Sequence, residues 1–214
     1  MSGDLLPFLR LTQARLAESF RGEGIRAEGI RRTLALDAAY SADTAYACAV
    51  LYDVDGGRVL GRWRRSSAVF FPYVPGYLYA REAPPLLRLV AGVDEGYDAL
   101  LVDAHGRLHP RRAGLATVLG VLLGKPTIGL AKSLLVGSVR GEGEVSPVTL
   151  KGEVTGYRVR AGGPAYYVSQ GNMISLAEAL EFLKRRGLGY PEEMRAVDGE
   201  TKAFKAGRRS AGRP

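Results

Sequence analysis

Three short runs, apolar or alternating, follow one another early in the chain: "TLALDAAYS", "AYACAVLYDV" and "GRVLGRWRR". The second and third are joined by "DVDGG", and Asp-Gly and Gly-Gly tolerate positive φ, so this stretch is a strong hairpin turn. An antiparallel meander is the expected result. The rhythm then changes. "REAPPLLRLVAGV" reads as a helix with prolines in its first turn, "YDALLVD" as a buried strand, "AGLATVLGVLLG" as an apolar helix and "KPTIGLAK" as another buried strand. Strands alternating with helices imply parallel pairing. The expected fold is therefore α/β, with one mixed sheet in which an antiparallel meander is followed by parallel strands, flanked by helices.

Further along, "GEVSPVTLKGEVTGYRVRAGGPAYYVS" carries Gly-punctuated β-like runs, a hairpin followed by a strand. "SLAEALEFLKRRG" has a capping box, Ser175 with Glu178, and a terminal Gly187, which predicts a well-delimited helix. Leu5, Leu9, Leu16 and Phe20 recur at near-helical spacing, so the chain opens with an amphipathic helix that ends around Gly22 to Gly24.

With 214 residues, 46% of them hydrophobic, one compact domain over residues 1–201 is the simplest organisation. Lys and Arg outnumber Asp and Glu by 30 to 22, which favours a polyanionic partner. Five of those cations, Lys202, Lys205, Arg208, Arg209 and Arg213, fall in the segment 202–214, which is expected to be a disordered basic tail. The body is only mildly basic, so a nucleic-acid partner has to be argued from a site. Cys48 is the only cysteine and the histidines number 2, which excludes an intrachain disulfide and disfavours zinc. No signal peptide and no apolar stretch of about 18 residues is visible, so a soluble, cytoplasmic, monomeric protein with no membrane contact is expected.

Asp37 falls within the first strand and Asp103 at the carboxyl end of the first parallel strand, with Glu82 near the start of a helix. An acid closing an apolar strand is costly to bury unpaired. If the sheet places these acids side by side they repel one another unless a divalent cation neutralises them, and hard oxygen ligands suit Mg²⁺ or Mn²⁺. The alternatives are ordinary: Asp37 capping a turn, Glu82 pairing with Arg81 or Arg88, Asp103 capping the next loop. Spacing does not decide between them. Both histidines lie in "DAHGRLHPRR", His109 held extended by Pro110 and His105 in a turn before Gly106. Tyr73 in "FFPYVPGYLYARE" is flanked by Pro72 and Pro75, either as a wedge against a base stack or as part of a loop pinned by core aromatics. Lys132 ends "PTIGLAK" as a strand-end cation suited to a phosphate or to water.

Taken in order, "LALDAAYS", "FPYVPGYLYARE", "DAHGRLHPRRAGLA" and "PTIGLAKSLL", with a weaker match in "YYVSQGNMISLAEALEF", resemble the endonuclease V family. These are deoxyinosine-directed nucleases with a ribonuclease H-like fold, and the likeness runs from about Leu34 to about Asp198. The resemblance implies that Asp37 and Asp103 bind metal with Glu82 as the third acid, and that His109 is the active-site histidine. It also implies Lys132 beside the scissile phosphate and Tyr73 as the wedge. The backbone around Gly76, Leu78, Gly106 and Gly114 would form the pocket for a flipped base, and Asp198 in "PEEMRAVDG" would be a further acid facing the metals. Arg111 and Arg112 are expected near a polyanion or at the head of a helix, and His105 is incidental.

The activity so implied is Mg²⁺-dependent nicking of DNA, with Mn²⁺ substituting, at the second phosphodiester 3′ to hypoxanthine, leaving a 3′-hydroxyl and a 5′-phosphate. Inosine in RNA, a structure-directed nuclease and a non-catalytic nucleic-acid binder are the competing readings. Three positions depart from the family pattern. Ala104 stands where glycine is common, and Gln170 and Asn172 stand where proline and histidine are frequent.

Overall fold

A computed structural model describes residues 5–210, without the side chains of 208–210. One nine-stranded sheet runs through the molecule in the order β3-β2-β1-β4-β5-β9-β8-β7-β6. The meander is present as β1 (Arg32–Ser41), β2 (Thr44–Asp53) and β3 (Arg58–Ala68), all antiparallel, with Gly57 at φ +60° in the "DVDGG" turn. β4 (Ala99–Val102) lies parallel to β1, and β5 (Thr127–Ala131) parallel to β4. β7 (Val145–Leu150) and β8 (Glu153–Val159) form the expected hairpin, and β9 (Tyr166–Asn172) returns antiparallel onto β5. The parallel part is thus confined to β1, β4 and β5; β7, β8 and β9 pair antiparallel in turn, and β9 meets β5 only after the intervening stretch that holds β7 and β8. A two-residue edge strand, β6 (Ser138–Val139), is too short to leave a periodic signal.

Period-two alternation sorts the side chains of β1 onto two faces. Leu34 and Leu36 pack with α2 (Leu78–Val90) and α3 (Leu115–Leu123). Ala35, together with Cys48 of β2, packs with α4 (Leu176–Lys184) and α5 (Glu192–Ser210). Asp37 shares the parity of Ala35, so it emerges under α5. The opening helix, α1 (Leu5–Glu18), is tied to α2 by the Tyr79 hydroxyl, which donates to the Leu9 carbonyl at 2.6 Å.

The capping box holds in half its form. Ser175 Oγ accepts from the Glu178 N–H at 3.1 Å, but the Glu178 carboxylate turns away to accept from the Ala27 N–H at 2.7 Å. After α4, Gly187 at φ +78° closes the helix, with Leu188 N donating to Leu183 O and Gly187 N to Lys184 O.

Two expectations need correction. α2 begins at Leu78, before "REAPP", so Pro84 and Pro85 lie inside the helix and not in its first turn. They remove the N–H groups that would have bonded the Ala80 and Arg81 carbonyls, directly beside Glu82. The basic tail expected to be disordered from 202 onward continues α5 through Ser210, while 211–214 lie outside the described residues. Met194, Val197, Thr201 and Phe204 recur at helical spacing, and Phe204 packs edge-on against Tyr46 with ring centroids 5.3 Å apart. α5 is also anchored near its start. Glu193, 0% exposed, accepts two bonds of 2.7 Å from the Arg186 guanidinium and one of 2.9 Å from Thr33. Among the described residues, no helix is long and apolar enough to cross a membrane.

Candidate active site

Leu36 and Val102 are register partners in the parallel pair, so the next residues, Asp37 and Asp103, stand side by side, and the Asp103 N–H donates to the Leu36 carbonyl at 3.1 Å. α5 crosses above them and contributes Asp198. One carboxylate oxygen from each of the three lies within 4.8 Å of the others. Asp37 is held by both oxygens, Oδ1 accepting from the Ala38 N–H at 2.8 Å and Oδ2 from the Thr201 hydroxyl at 2.7 Å. Lys132, one residue beyond β5, donates through Nζ to Asp103 Oδ2 at 2.6 Å and Asp198 Oδ1 at 2.8 Å. Lys202 donates to the other Asp198 oxygen at 2.5 Å.

The electrostatics follow from this crowding. Burial pushes the Asp37 carboxyl up, the Thr201 bond works against it, and the Asp103 charge pushes it further up. Burial likewise raises Asp103, against the pull of Lys132. At Asp198 burial works upward too, but the bonds from Lys132 and Lys202 outweigh it and hold the carboxyl below its usual range. Glu82 stands on the α2 side. Burial first, then the charges of Asp37 and Asp103, push it up to about 8. It is coupled to the cluster by charge, yet its carboxylate is not among the three that meet within 4.8 Å, and it forms no ion pair with Arg81 or Arg88. Three converging carboxylates, two of them with raised proton affinities, could hold a hard divalent cation, which would neutralise what two lysines neutralise only in part.

A cavity of about 310 Å³ opens beside Asp103 and Lys132. Tyr73, Gly76, Leu78, Ala104, His109 and Gly114 all line it. Tyr73 is 67% exposed, whereas its neighbour Phe71 is buried, so Phe71 pins the loop and Tyr73 is free at the mouth. A Cβ on Gly114 would come within 2.2 Å of the His105 carbonyl oxygen. Around Gly106 the cavity is lined by its neighbours Ala104 and His105 and not by the glycine itself. The Gly106 N–H donates to Ser169 Oγ at 2.8 Å, and a Cβ there would meet the Gln170 carbonyl at 2.1 Å, so this glycine serves close packing against β9.

His109 is buried, its Nδ1 accepting from the Arg111 N–H at 3.2 Å. Burial, then the charge of Arg111, then His105, lower its pKa to about 4, against the Gly76 backbone. It is a neutral imidazole in the cavity wall, with no hydrogen bond to the acids among the described residues. His105 faces the Ser133 carbonyl at 2.8 Å through Nε2, and burial lowers its pKa too.

Of the two placements expected for the arginines, the head of a helix is the one present, just before α3. Arg111 is bonded to Gln13 and the Gly76 carbonyl, and Arg112 to the Leu150 carbonyl and Glu153, so both are turned toward protein groups and not toward a polyanion. The departure at Asn172 also has a structural use, since its side chain accepts from the Arg21 N–H and donates to the Gly120 carbonyl, both at 2.9 Å. Gln170 contributes its carbonyl to the Arg107 N–H at 2.8 Å. Gln13, Thr201 and Lys202 are site neighbours that sequence reasoning missed. Thr201 alone left a usable signal, its place one helical turn beyond Asp198 on the apolar stripe of α5.

Asp37 within β1, Asp103 just beyond β4 and Asp198 of α5 gather on a mixed α/β fold with a lysine and a cavity beside them, an arrangement suited to a metal-assisted hydrolase. The family profile described as Endonuclease V matches residues 14–198. The chain belongs to the endonuclease V family, whose members are phosphodiester hydrolases. It is 37% identical over 201 residues to an endonuclease V of Saccharolobus islandicus, covering 94% of this chain and 96% of the relative. The crystal structure of the catalytic domain of human endonuclease V superposes with a TM-score of 0.87 at 27% identity, covering 100% of both chains. Endonuclease V of Ciona intestinalis, crystallised in complex with a 24mer DNA containing an inosine followed by a ribo-adenosine, shares the fold with a TM-score of 0.83 at 23% identity, covering 94% of this chain and 97% of its own.

Proposed function

We propose that this nuclease nicks DNA beside a deaminated base, hypoxanthine in deoxyinosine, with Mg²⁺ as cofactor and Mn²⁺ able to replace it. The break falls at the second phosphodiester on the 3′ side and leaves a 3′-hydroxyl and a 5′-phosphate. The observation that carries this is the meeting of Asp37, Asp103 and Asp198 within 4.8 Å beside the cavity that Tyr73 overhangs. The family and the inosine-containing DNA bound by the Ciona protein support the substrate class. All four acids, the lysine and the cavity come from one chain, so a monomer suffices.

Asp37, Asp103 and Asp198 would hold the cation, with Glu82 adding charge from the α2 side. When bound, the cation supplies Lewis-acid polarisation of the phosphate and an acidified water. Lys132, half exposed, lies where it can give a donor to a phosphate oxygen once its carboxylates are otherwise neutralised. Tyr73 fills the space left by an everted nucleotide, and the cavity takes the base. Eversion costs least at a mispair, which favours hypoxanthine over a normal base. His109, neutral at physiological pH, shapes the cavity wall.

The test is nicking of otherwise identical duplexes with and without one hypoxanthine, mapped to the nucleotide, in Mg²⁺ and in EDTA. A matched set with a ribose 3′ to the lesion, and one with inosine in RNA, separates DNA from RNA preference. Asp37→Asn and Asp103→Asn are expected to lower turnover by at least about a thousandfold while unfolding at midpoints no lower than the wild type. Normal turnover by either variant refutes the metal assignment.

A further inference from the structure

The helix that opens the chain takes part in the cavity. Gln13 is the one buried residue of α1 and is 1% exposed. Burying a carboxamide is costly unless its groups are bonded. Here both are: Nε2 donates to the Ala113 carbonyl and Oε1 accepts from Arg111 Nε, each at 2.5 Å. The same Arg111 guanidinium donates to the Gly76 carbonyl and lies with Cζ 4.3 Å from the centre of the Tyr77 ring. Gln13 itself lines the cavity together with Gly76 and Gly114. A single connected set of bonds therefore runs from α1, through the loop that ends at Ala113 and Gly114, to the loop that carries Tyr73 and Gly76.

Resting on the function proposed above, we infer that Gln13 and Arg111 are positioning residues that fix the two loops of the base cavity against each other and so set its fit to an everted purine. Three features carry this. The guanidinium is committed to protein acceptors, so its role is not a phosphate contact. Arg111 also lies where a Cβ on Gly76 would meet it at 3.0 Å, so a side chain there would crowd the guanidinium, and φ +79° itself favours glycine. Neither residue touches Asp37, Asp103 or Asp198, so their effect separates from that of the metal site.

The experiment compares wild type, Gln13→Met, Arg111→Lys and the double variant in steady-state nicking of a hypoxanthine duplex, with Mn²⁺ affinity read by electron paramagnetic resonance on the same proteins. Gln13→Met keeps length and loses both bonds; Arg111→Lys keeps charge and loses the fork. Each single variant is expected to raise KM about tenfold, the cost of one or two net hydrogen bonds, with kcat within about threefold. Mn²⁺ affinity should stay at the wild-type value. The double variant should be no worse than the poorer single one, because the two residues act through one connection. Gln13→Glu, which keeps the acceptor for Arg111, is expected to recover part of the KM. An unchanged KM in both single variants, a loss confined to kcat, additive effects in the double variant, or a parallel fall in Mn²⁺ affinity would each overturn the inference. If the wild type itself shows no preference for hypoxanthine, the proposed function falls and the inference with it; a wild-type preference with KM for the hypoxanthine duplex unchanged in Gln13→Met and Arg111→Lys sinks the inference alone.

Discussion

Glu82→Gln should make the metal-free protein more stable, and more so as the pH rises. Glu82 is pushed from its ordinary 4.5 up to about 8, by burial and then by the charges of Asp37 and Asp103. Between those two values the folded protein keeps a proton that the unfolded chain has already lost. Raising the pH through this window therefore favours unfolding, and the full penalty is in place above about 8. At 1.36 kcal/mol for each unit, the ceiling is about 5 kcal/mol. The side chain is only partly buried and water relaxes around it, so a gain of about 2 to 3 kcal/mol is the working figure. For a chain of this length that is about 4 to 12 °C in the unfolding midpoint. Glutamine matches the protonated acid in shape and hydrogen bonding, so the two proteins should unfold together near pH 5. Scanning calorimetry from pH 5 to 9 in EDTA reads the difference. Adding Mg²⁺ should then raise the wild-type midpoint more than that of the variant, since the cation offsets a repulsion that glutamine lacks. A variant less stable than wild type at pH 9 in EDTA, or a difference that does not vary with pH, would refute the charge repulsion ascribed to this site.

Three other perturbations test separate parts of the structure. Gly114→Ala sets a methyl 2.2 Å from a main-chain oxygen that cannot swing aside, so it should cost about 1 to 3 kcal/mol in denaturant unfolding and raise KM for lesion DNA; wild-type values of both would show that the loop has room. Glu193→Gln leaves the Arg186 guanidinium unpaired under α5 and should cost about 3 to 5 kcal/mol, with loss of Mn²⁺ affinity as α5 and Asp198 loosen; an intact Mn²⁺ site in that variant would mean α5 is held elsewhere. His109 should titrate near 4 by proton NMR, which is direct because the chain has only 2 histidines. Its folded pKa lies below the ordinary 6.5, so its contribution to stability is whole above 6.5 and is lost as the pH falls toward 4; a titration near 6.5 would place the ring in solvent.

What was legible in the sequence and what was not divide along the distance between interacting residues. The meander and the parallel core follow from local periodicity and from the rule that crossovers make parallel pairs, and they are present, whereas the adjacency of Asp37 and Asp103 was implied by the family resemblance and not by spacing. The antiparallel return of β9 onto β5 depends on where a long Gly-punctuated stretch folds back, which no local pattern encodes. Beyond Thr201 the run of cations resembles a charged tail, and it masks the stripe of Met194, Val197, Thr201 and Phe204 that holds α5 to the sheet. Gln13 and Arg111 are 98 residues apart, and in an amphipathic helix a glutamine is assigned to solvent by default.

The position of Asp198 joins these cases. Its side chain completes the acid cluster, but the height and rotation of its helix are set by Glu193 meeting Arg186 and Thr33, and by Thr201 meeting Asp37. None of these contacts touches the cavity. A residue's place in a site can thus depend on partners that share none of its chemistry, whereas Asp37 and Asp103 are set side by side by main-chain register alone, once β1 and β4 pair.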